Sequence, residues 1–353
     1  MTTPPDASAP TTGQRLLSSV SHHAREYAIV LAFLVISAIP AFLSPYFLTV
    51  QNLSNILLQV SINGLLAIGM TFVVLAGGID LSVGSILAAA GMIAGSLVTG
   101  DHPVSIWIAL VVGLGLGAGL GGINGVLVAW LRVPPFVATL GMLSAARGLT
   151  QTWSDGMPVP DLSDNFVAIG QGHFLGLAVP VWIYLGCALV AAVVLRQTRY
   201  GRYVYAVGGN ARSAQTSGVS VKFVTFLTFL ISGLTAGLAG LILTARTSSA
   251  LPQAGIGYEL DAIAAVVIGG TSLSGGLGGM LGTFFGVLII GVINNGLDLL
   301  GVSSYLQQII KGVIIVAAVM VDMQARKQTP LTVSAHLNPP ASSNPEKSPC
   351  IRP

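Results

Sequence analysis

The sequence predicts an all-α integral membrane protein, a polytopic helical bundle of about ten transmembrane helices with both termini cytoplasmic. Three observations carry this expectation. Of the 353 residues, 53% are apolar and only 8% are charged, whereas a soluble domain carries about 25% charged residues. The mean hydropathy is +0.82. There are also 44 glycines, a residue enriched in transmembrane helices, where it lets backbones approach closely. This balance excludes a soluble globular enzyme.

Charge-free runs place the spans in order. Between Glu26 and Asp80 lie 53 uncharged residues, and residues 81–100, 102–131, 165–195, 223–245 and 262–297 form further runs. One span needs about 20 residues, so the longest runs each hold two. The first divides near Pro40, Pro45 and the polar stretch 49–55, the last at the glycine cluster 275–279. Shorter spans near 136–153 and 305–321 contain Arg147 and Lys311. The ten spans centre near residues 36, 67, 91, 118, 144, 187, 234, 266, 288 and 313. Arg15 and Arg25 precede the first span as a signal's basic region would, but no clear A-x-A site follows. The first span is therefore read as a retained helix.

Orientation follows from the basic residues. With a cytoplasmic N-terminus, the inner segments collect twelve Lys and Arg, among them Arg132, Arg196, Arg199, Arg202, Arg212 and Lys222, while the outer ones collect only Arg246. Cytoplasmic loops carry the Lys and Arg excess. The asymmetry places 197–222 inside and 154–178 and 246–258 outside, and it explains a pI near 9.0 without nucleic acid. The Thr/Pro/Ser-rich segments 1–24 and 326–353 read as disordered cytoplasmic tails flanking a transmembrane domain at 25–325. Cys187 and Cys350 are too few for a disulfide framework or a thiolate metal site. None of the four lysines sits in a G-x-x-x-x-G-K-[ST] motif, so the chain has no P-loop.

Glycine spacing predicts the packing. Gly113, Gly117, Gly121 and Gly125 form a ridge along one helix, Gly278, Gly282 and Gly286 along another, and Gly233 with Gly237 a shorter pair. Such small-xxx-small ridges pack helices in lipid, and packing within one subunit is favoured over a dimer seam or a pore wall. Residues 77–84 (GGIDLSVG) match 269–276 (GGTSLSGG) at five of eight positions, offset by 192. Glycine-interrupted apolar segments in corresponding halves point to broken helices around a translocation path, although both copies here run the same way.

Few groups in the spans could do chemistry. Asp80 either caps the following helix together with Ser82 or lines the path, intramembrane ionisable groups being functional by default. Asn63, Asn124, Asn294 and Asn295 can hydrogen-bond a polyol or simply a neighbouring helix. Arg147 and Lys311 either snorkel or pair within the bundle. The histidines all fall in tails or loops, so no metal cluster or nucleophile–base pair is visible.

The segment Arg199–Val219 contains Gly208-Gly209-Asn210-Ala211-Arg212-Ser213-Ala214 and ends at Gly218-Val219. It resembles the cytoplasmic coupling segment of sugar permeases from bacterial ABC importers, the ribose type in particular. The resemblance continues in residues 77–84, 257–267 and 269–273, in Asn294-Asn295-Gly296-Leu297, and in residues 300–305. These blocks keep the family's order across about residues 45–322. The family often has Glu-Ala-Ala after Gly-Gly-Asn, where this chain has Ala211-Arg212-Ser213.

The resemblance implies a permease subunit in the bacterial inner membrane that imports a monosaccharide and is not itself an enzyme. It implies three partners besides the bilayer: an ABC ATPase subunit that binds ATP and Mg, an extracytoplasmic sugar-binding protein, and a second permease subunit, expected as a homodimer. No cofactor is expected in this chain. Small residues Ala211, Ser213 and Ala214 would let a short helix enter a groove on the ATPase. Burying an unpaired hydroxyl costs about 1–3 kcal/mol, so the thin polar supply of the spans suits a path that holds sugar weakly. The competing class is a proton-coupled secondary transporter using Asp80 or Glu259.

Overall fold

A computed structural model describes residues 12–100 and 102–327. Residues 1–11 of the expected N-terminal tail, and the C-terminal tail beyond 327, lie outside the described residues. The remainder of the first tail differs from expectation: helix α1 (Thr12–Leu43) already begins at Thr12. The Thr/Pro composition ends there, and no proline recurs until Pro40, so nothing interrupts helical hydrogen bonding.

The chain continues through α2 (Val50–Leu75), α3 (Val83–Leu97), α4 (Ile106–Ala129), α5 (Pro135–Trp153) and the short α6 (Asp164–Gln171). A two-stranded hairpin, β1 (His173–Phe174) and β2 (Leu177–Ala178), turns through Leu175 and Gly176, both with positive φ. Then come α7 (Val179–Gln197), α8 (Arg199–Gly209), α9 (Ala211–Thr216), α10 (Val221–Thr247), α11 (Tyr258–Ile268), α12 (Met280–Leu299) and α13 (Ser304–Lys327). All ten expected centres fall inside helices. By length and composition α2, α4, α7, α10 and α12 can each cross a membrane, while α3 and parts of α1 and α13 form shorter apolar helices. The chain is a multi-pass helical membrane protein.

Helix α2 forms the centre. Every residue from Val60 to Leu75 is buried, as expected of a helix apolar on all sides. Around it α10 packs on α4 through the glycine ridges. A Cβ on Gly117 would lie 2.8 Å from Gly237 Cα, one on Gly121 2.8 Å from Gly233 Cα, and one on Gly125 2.9 Å from Phe226 O. The ridge therefore serves packing within this chain. The second ridge is shorter than expected, because Gly278 sits in the loop before α12 with φ +131. Gly282 and Gly286 do pack, against the backbone of Gly269 and Ala265.

The repeated glycine pairs are helix ends. Gly77 (φ +84) follows α2, with Gly78 N donating to Val73 O; Gly270 (φ +81) follows α11, with Thr271 N donating to Val266 O. Both are left-handed glycine caps that satisfy terminal carbonyls. In the structure Gly77 corresponds to Gly270, one position off the 192-residue register of the sequence match.

The connecting segments gather at two ends, as the charge pattern sorts them. Bridges Thr99↔Leu162 and Val159↔Ala250 join the segments expected outside. At the opposite end the backbones of Leu75, Gly208 and Gly276 meet. Trp107 and Trp130 stand exposed at the two ends of α4, where interfacial aromatic side chains belong.

Segment 248–257 explains why α11 has only 11 residues. Ala250 lies beside Gly95 in the last turn of α3, and Gly255 lies beside Gly84 in its first turn. Eleven residues of helix rise about 16 Å, so the segment descends roughly that far in irregular conformation before α11 begins. Pro252 and the positive φ values of Gly255 and Gly257 keep it from becoming helix.

Candidate functional site

The α8–α9 corner is built from local caps. Thr198 Oγ1 accepts from Gly201 N at 3.1 Å to start α8. Asn210 Oδ1 accepts from Ser213 N at 3.0 Å to start α9. Gly218, at φ +86, ends α9, with Val219 N donating to Ala214 O at 3.0 Å. The sequence had pointed to this short helix and its terminating glycine. Ala211, Arg212, Ser213, Gln215 and Thr216 are exposed. Ala214 is not: it is 5% exposed and belongs to the apolar core. This corrects its expected place on a docking face, since in a one-and-a-half-turn helix the side chain opposite the exposed ones must face the protein.

Behind α9 the corner is locked to the bundle through backbone. A Cβ on Gly208 would run into Leu75 O and lie 2.6 Å from Gly276 N, while one on Gly209 meets nothing within 4 Å. Gly276 N donates to Leu75 O at 2.9 Å. The Tyr205 hydroxyl donates to Gly278 O at 3.0 Å, and burial pushes that phenol above its ordinary value, so it remains a donor at neutral pH. The end of α2, at Leu75, and loop 269–279 thus both touch the corner. The glycine count hinted at close packing, but no sequence signal named Leu75 or Tyr205 as its partners.

The polar groups of the spans sort into separate clusters. Asp80 is fully buried; its Oδ1 accepts from Ser82 N at 3.0 Å and Ser82 Oγ at 2.6 Å, and its Oδ2 from Ser232 Oγ at 2.8 Å. Asn124 Nδ2 donates to Ser82 Oγ at 2.9 Å. This network joins the segment just before α3 to α4 and α10. Asn295 and Asn52 exchange hydrogen bonds at 2.8 and 2.9 Å, joining α12 to the start of α2. Asn63 is buried on α2, its Oδ1 without a partner.

Lys311 pairs with Asp261 Oδ2 at 3.0 Å, and Asn294 Nδ2 donates to the same oxygen at 3.2 Å. Arg147 donates to Pro252 O at 2.9 Å and Ala254 O at 2.8 Å, satisfying carbonyls that the descending segment exposes at membrane depth, where unpaired backbone is not tolerated. Of the two expected roles for Arg147 and Lys311, pairing within the bundle holds. Asp261 escaped the sequence reading because its partner lies 50 residues away. Segment 248–257 and the end of α10 line an open cavity of about 270 Å³ with Thr244, Thr247, Ser249, Gln253 and Tyr258 in its lining.

Residues 52–319 match the family described as branched-chain amino acid transport system / permease component. The ribose import permease protein RbsC of Escherichia coli K12 is 50% identical over 301 residues, 84% of this chain and 93% of that protein. The Bacillus subtilis protein of the same name is 49% identical over 295 residues, 83% and 91% of the two chains. The D-allose transport system permease protein AlsC of E. coli K12 is 44% identical over 299 residues, 84% and 91%. No solved structure matches the chain. With a family match spanning most of the helical bundle and near-half identity along almost the full length of the relatives, the chain belongs to this family of transport-system permease components.

Proposed function

We propose that this chain is the membrane-spanning permease subunit of an ATP-powered importer that carries ribose or a closely related monosaccharide inward. The observation that carries the reading is the 50% identity to a ribose import permease along 93% of that protein. The chain would cross a bacterial inner membrane ten times with both tails cytoplasmic. An ATPase subunit, holding ATP and Mg, would dock on the exposed face of α9. A sugar-binding protein would deliver cargo to the side bearing 154–178 and 246–258, and a second permease copy would complete the path. Gly208, Gly209, Asn210 and Gly218 would shape the docking corner, and Ala211, Arg212 and Ser213 would meet the ATPase.

The geometry supports this division of labour. The end of α8, which leads into exposed α9, meets the backbone of Leu75 at the end of α2 and of Gly276 in loop 269–279, so a push on the corner would reach α2, α11 and α12. Asp80 accepts from three donors and has no exposure, which supports a structural role over that of a coupling-proton carrier. Uptake of labelled ribose into proteoliposomes should require the ATPase subunit, the binding protein and ATP. Concentrative uptake driven by a proton gradient alone would refute the proposal.

A further inference from the structure

The Asp80 and Asp261 clusters both lie within the bundle but differ in closure. The Asp80 carboxylate accepts from Ser82 and Ser232, and Asp80, Ser82, Asn124 and Ser232 are all fully buried; Asn124 Oδ1 also lacks a partner, but no group of this cluster opens outward. Asp261 is 3% exposed, whereas its partner Lys311 is 26% exposed. Lys311 stands on α13 among exposed Ile309, Val313 and Val316, at the margin of the fold where α13 packs on α11. A charged group opening outward at membrane depth faces a polar path or a protein neighbour rather than hydrocarbon.

A second observation points to a ligand. Asn294 is 3% exposed, and its Oδ1 has no hydrogen-bond partner, which native proteins rarely leave so. The ammonium of Lys311 has three donors, of which one reaches Asp261. The cluster thus holds an unused acceptor on Asn294 beside spare donors on Lys311, oriented by a shared carboxylate. The cluster is also one helical turn from the cavity: Tyr258, in the cavity lining, precedes Asp261 by three residues on α11, and residues three apart share a face.

We propose that Asp261, Asn294 and Lys311 form a polyol-binding station on the sugar path, one helical turn along α11 from the cavity at segment 248–257. Adjacent hydroxyls of a sugar match it: one donates to Asn294 Oδ1 while its neighbour accepts from Lys311. Asp261 does not meet the sugar; it positions the two groups that do. This rests on the sugar-permease reading above and names where in the chain the cargo is held.

The test uses the complete importer in proteoliposomes, with Asn294→Leu and Asn294→Ala, which leave the Lys311–Asp261 pair intact. Uptake of ribose and of 2-deoxyribose is measured alongside ATP hydrolysis stimulated by the binding protein. The variants should keep stimulated hydrolysis within about twofold of wild type. Their preference for ribose over 2-deoxyribose should fall roughly tenfold, the scale of one lost hydrogen bond. Equal loss for both sugars would overturn the station and assign Asn294 to helix packing, and so would unchanged uptake. Loss of stimulated hydrolysis in both variants would overturn it in the same way. Wild-type proteoliposomes that take up no sugar would instead refute the permease reading, so the two failures are distinguishable.

Discussion

Gly208→Ala tests whether the coupling corner transmits force through backbone contact. The new methyl would run into Leu75 O and lie 2.6 Å from Gly276 N. Both obstacles are main chain, and they are bonded to each other at 2.9 Å, so neither can rotate away as a side chain could. Overpacking of this kind costs about 1–3 kcal/mol, and 2 kcal/mol corresponds to roughly a thirtyfold shift in an equilibrium. Helix propensity opposes the loss, since Ala is favoured over Gly by about 1 kcal/mol in a helix interior. Gly209→Ala supplies the control: it shares that gain, and its methyl meets nothing within 4 Å. In reconstituted importer, Gly208→Ala should lower ATP-driven uptake at least about tenfold while the ATPase still copurifies, because the exposed face of α9 is untouched. Gly209→Ala should transport like wild type. Equal behaviour of the two variants, whether both active or both inactive, would refute the reasoning.

Two further predictions concern the same corner and the orientation of the chain. Ala214→Glu buries a carboxylate in the core behind α9, so it should lower the thermal stability of the purified permease as well as ATPase retention. Arg212→Glu, on the exposed face, should weaken copurification without moving the melting temperature, and a stable Ala214→Glu variant would show that α9 is turned the other way. Cysteines at 161 and 212 should differ toward an impermeant thiol reagent on intact cells, with 161 labelled and 212 protected; the reverse pattern would invert the topology.

The helices were legible because lipid imposes a simple rule: an apolar run of sufficient length must close its own hydrogen bonds, and charges then mark the breaks. Eight centres read from charge-free runs, and two from shorter spans holding Arg147 and Lys311, all fall in helices for that reason. The packing ridges were legible because glycine every fourth residue has few other uses in such a helix. Pairings between distant side chains were not. Asn52 with Asn295, and Asp261 with Lys311, are contacts that no periodicity within one helix encodes. Segment 248–257 was invisible in another way: its composition reads as an ordinary outer loop, and only its course alongside α3, from Gly95 to Gly84, shows that it descends beside the helices. The GG match was seen at the wrong offset, since the caps align by the glycine with positive φ and not by residue identity.

The contrast between Gly208 and the Asp261 cluster bears on how such a bundle could hold cargo weakly and still be driven hard. On the proposed function, force would pass where glycine brings backbone against backbone, Gly208 on Leu75 and Gly276, because close-packed main chain yields less than intervening side chains. The α4–α10 seam uses the same device, so the helices it joins can move as a unit. Where cargo has to pass, the polar groups are few and incompletely satisfied, as at Asn294 Oδ1. A fully satisfied site would bind a polyol tightly and release it slowly. A single unused acceptor beside a lysine offers hydrogen bonds that a sugar can exchange for water at little net gain.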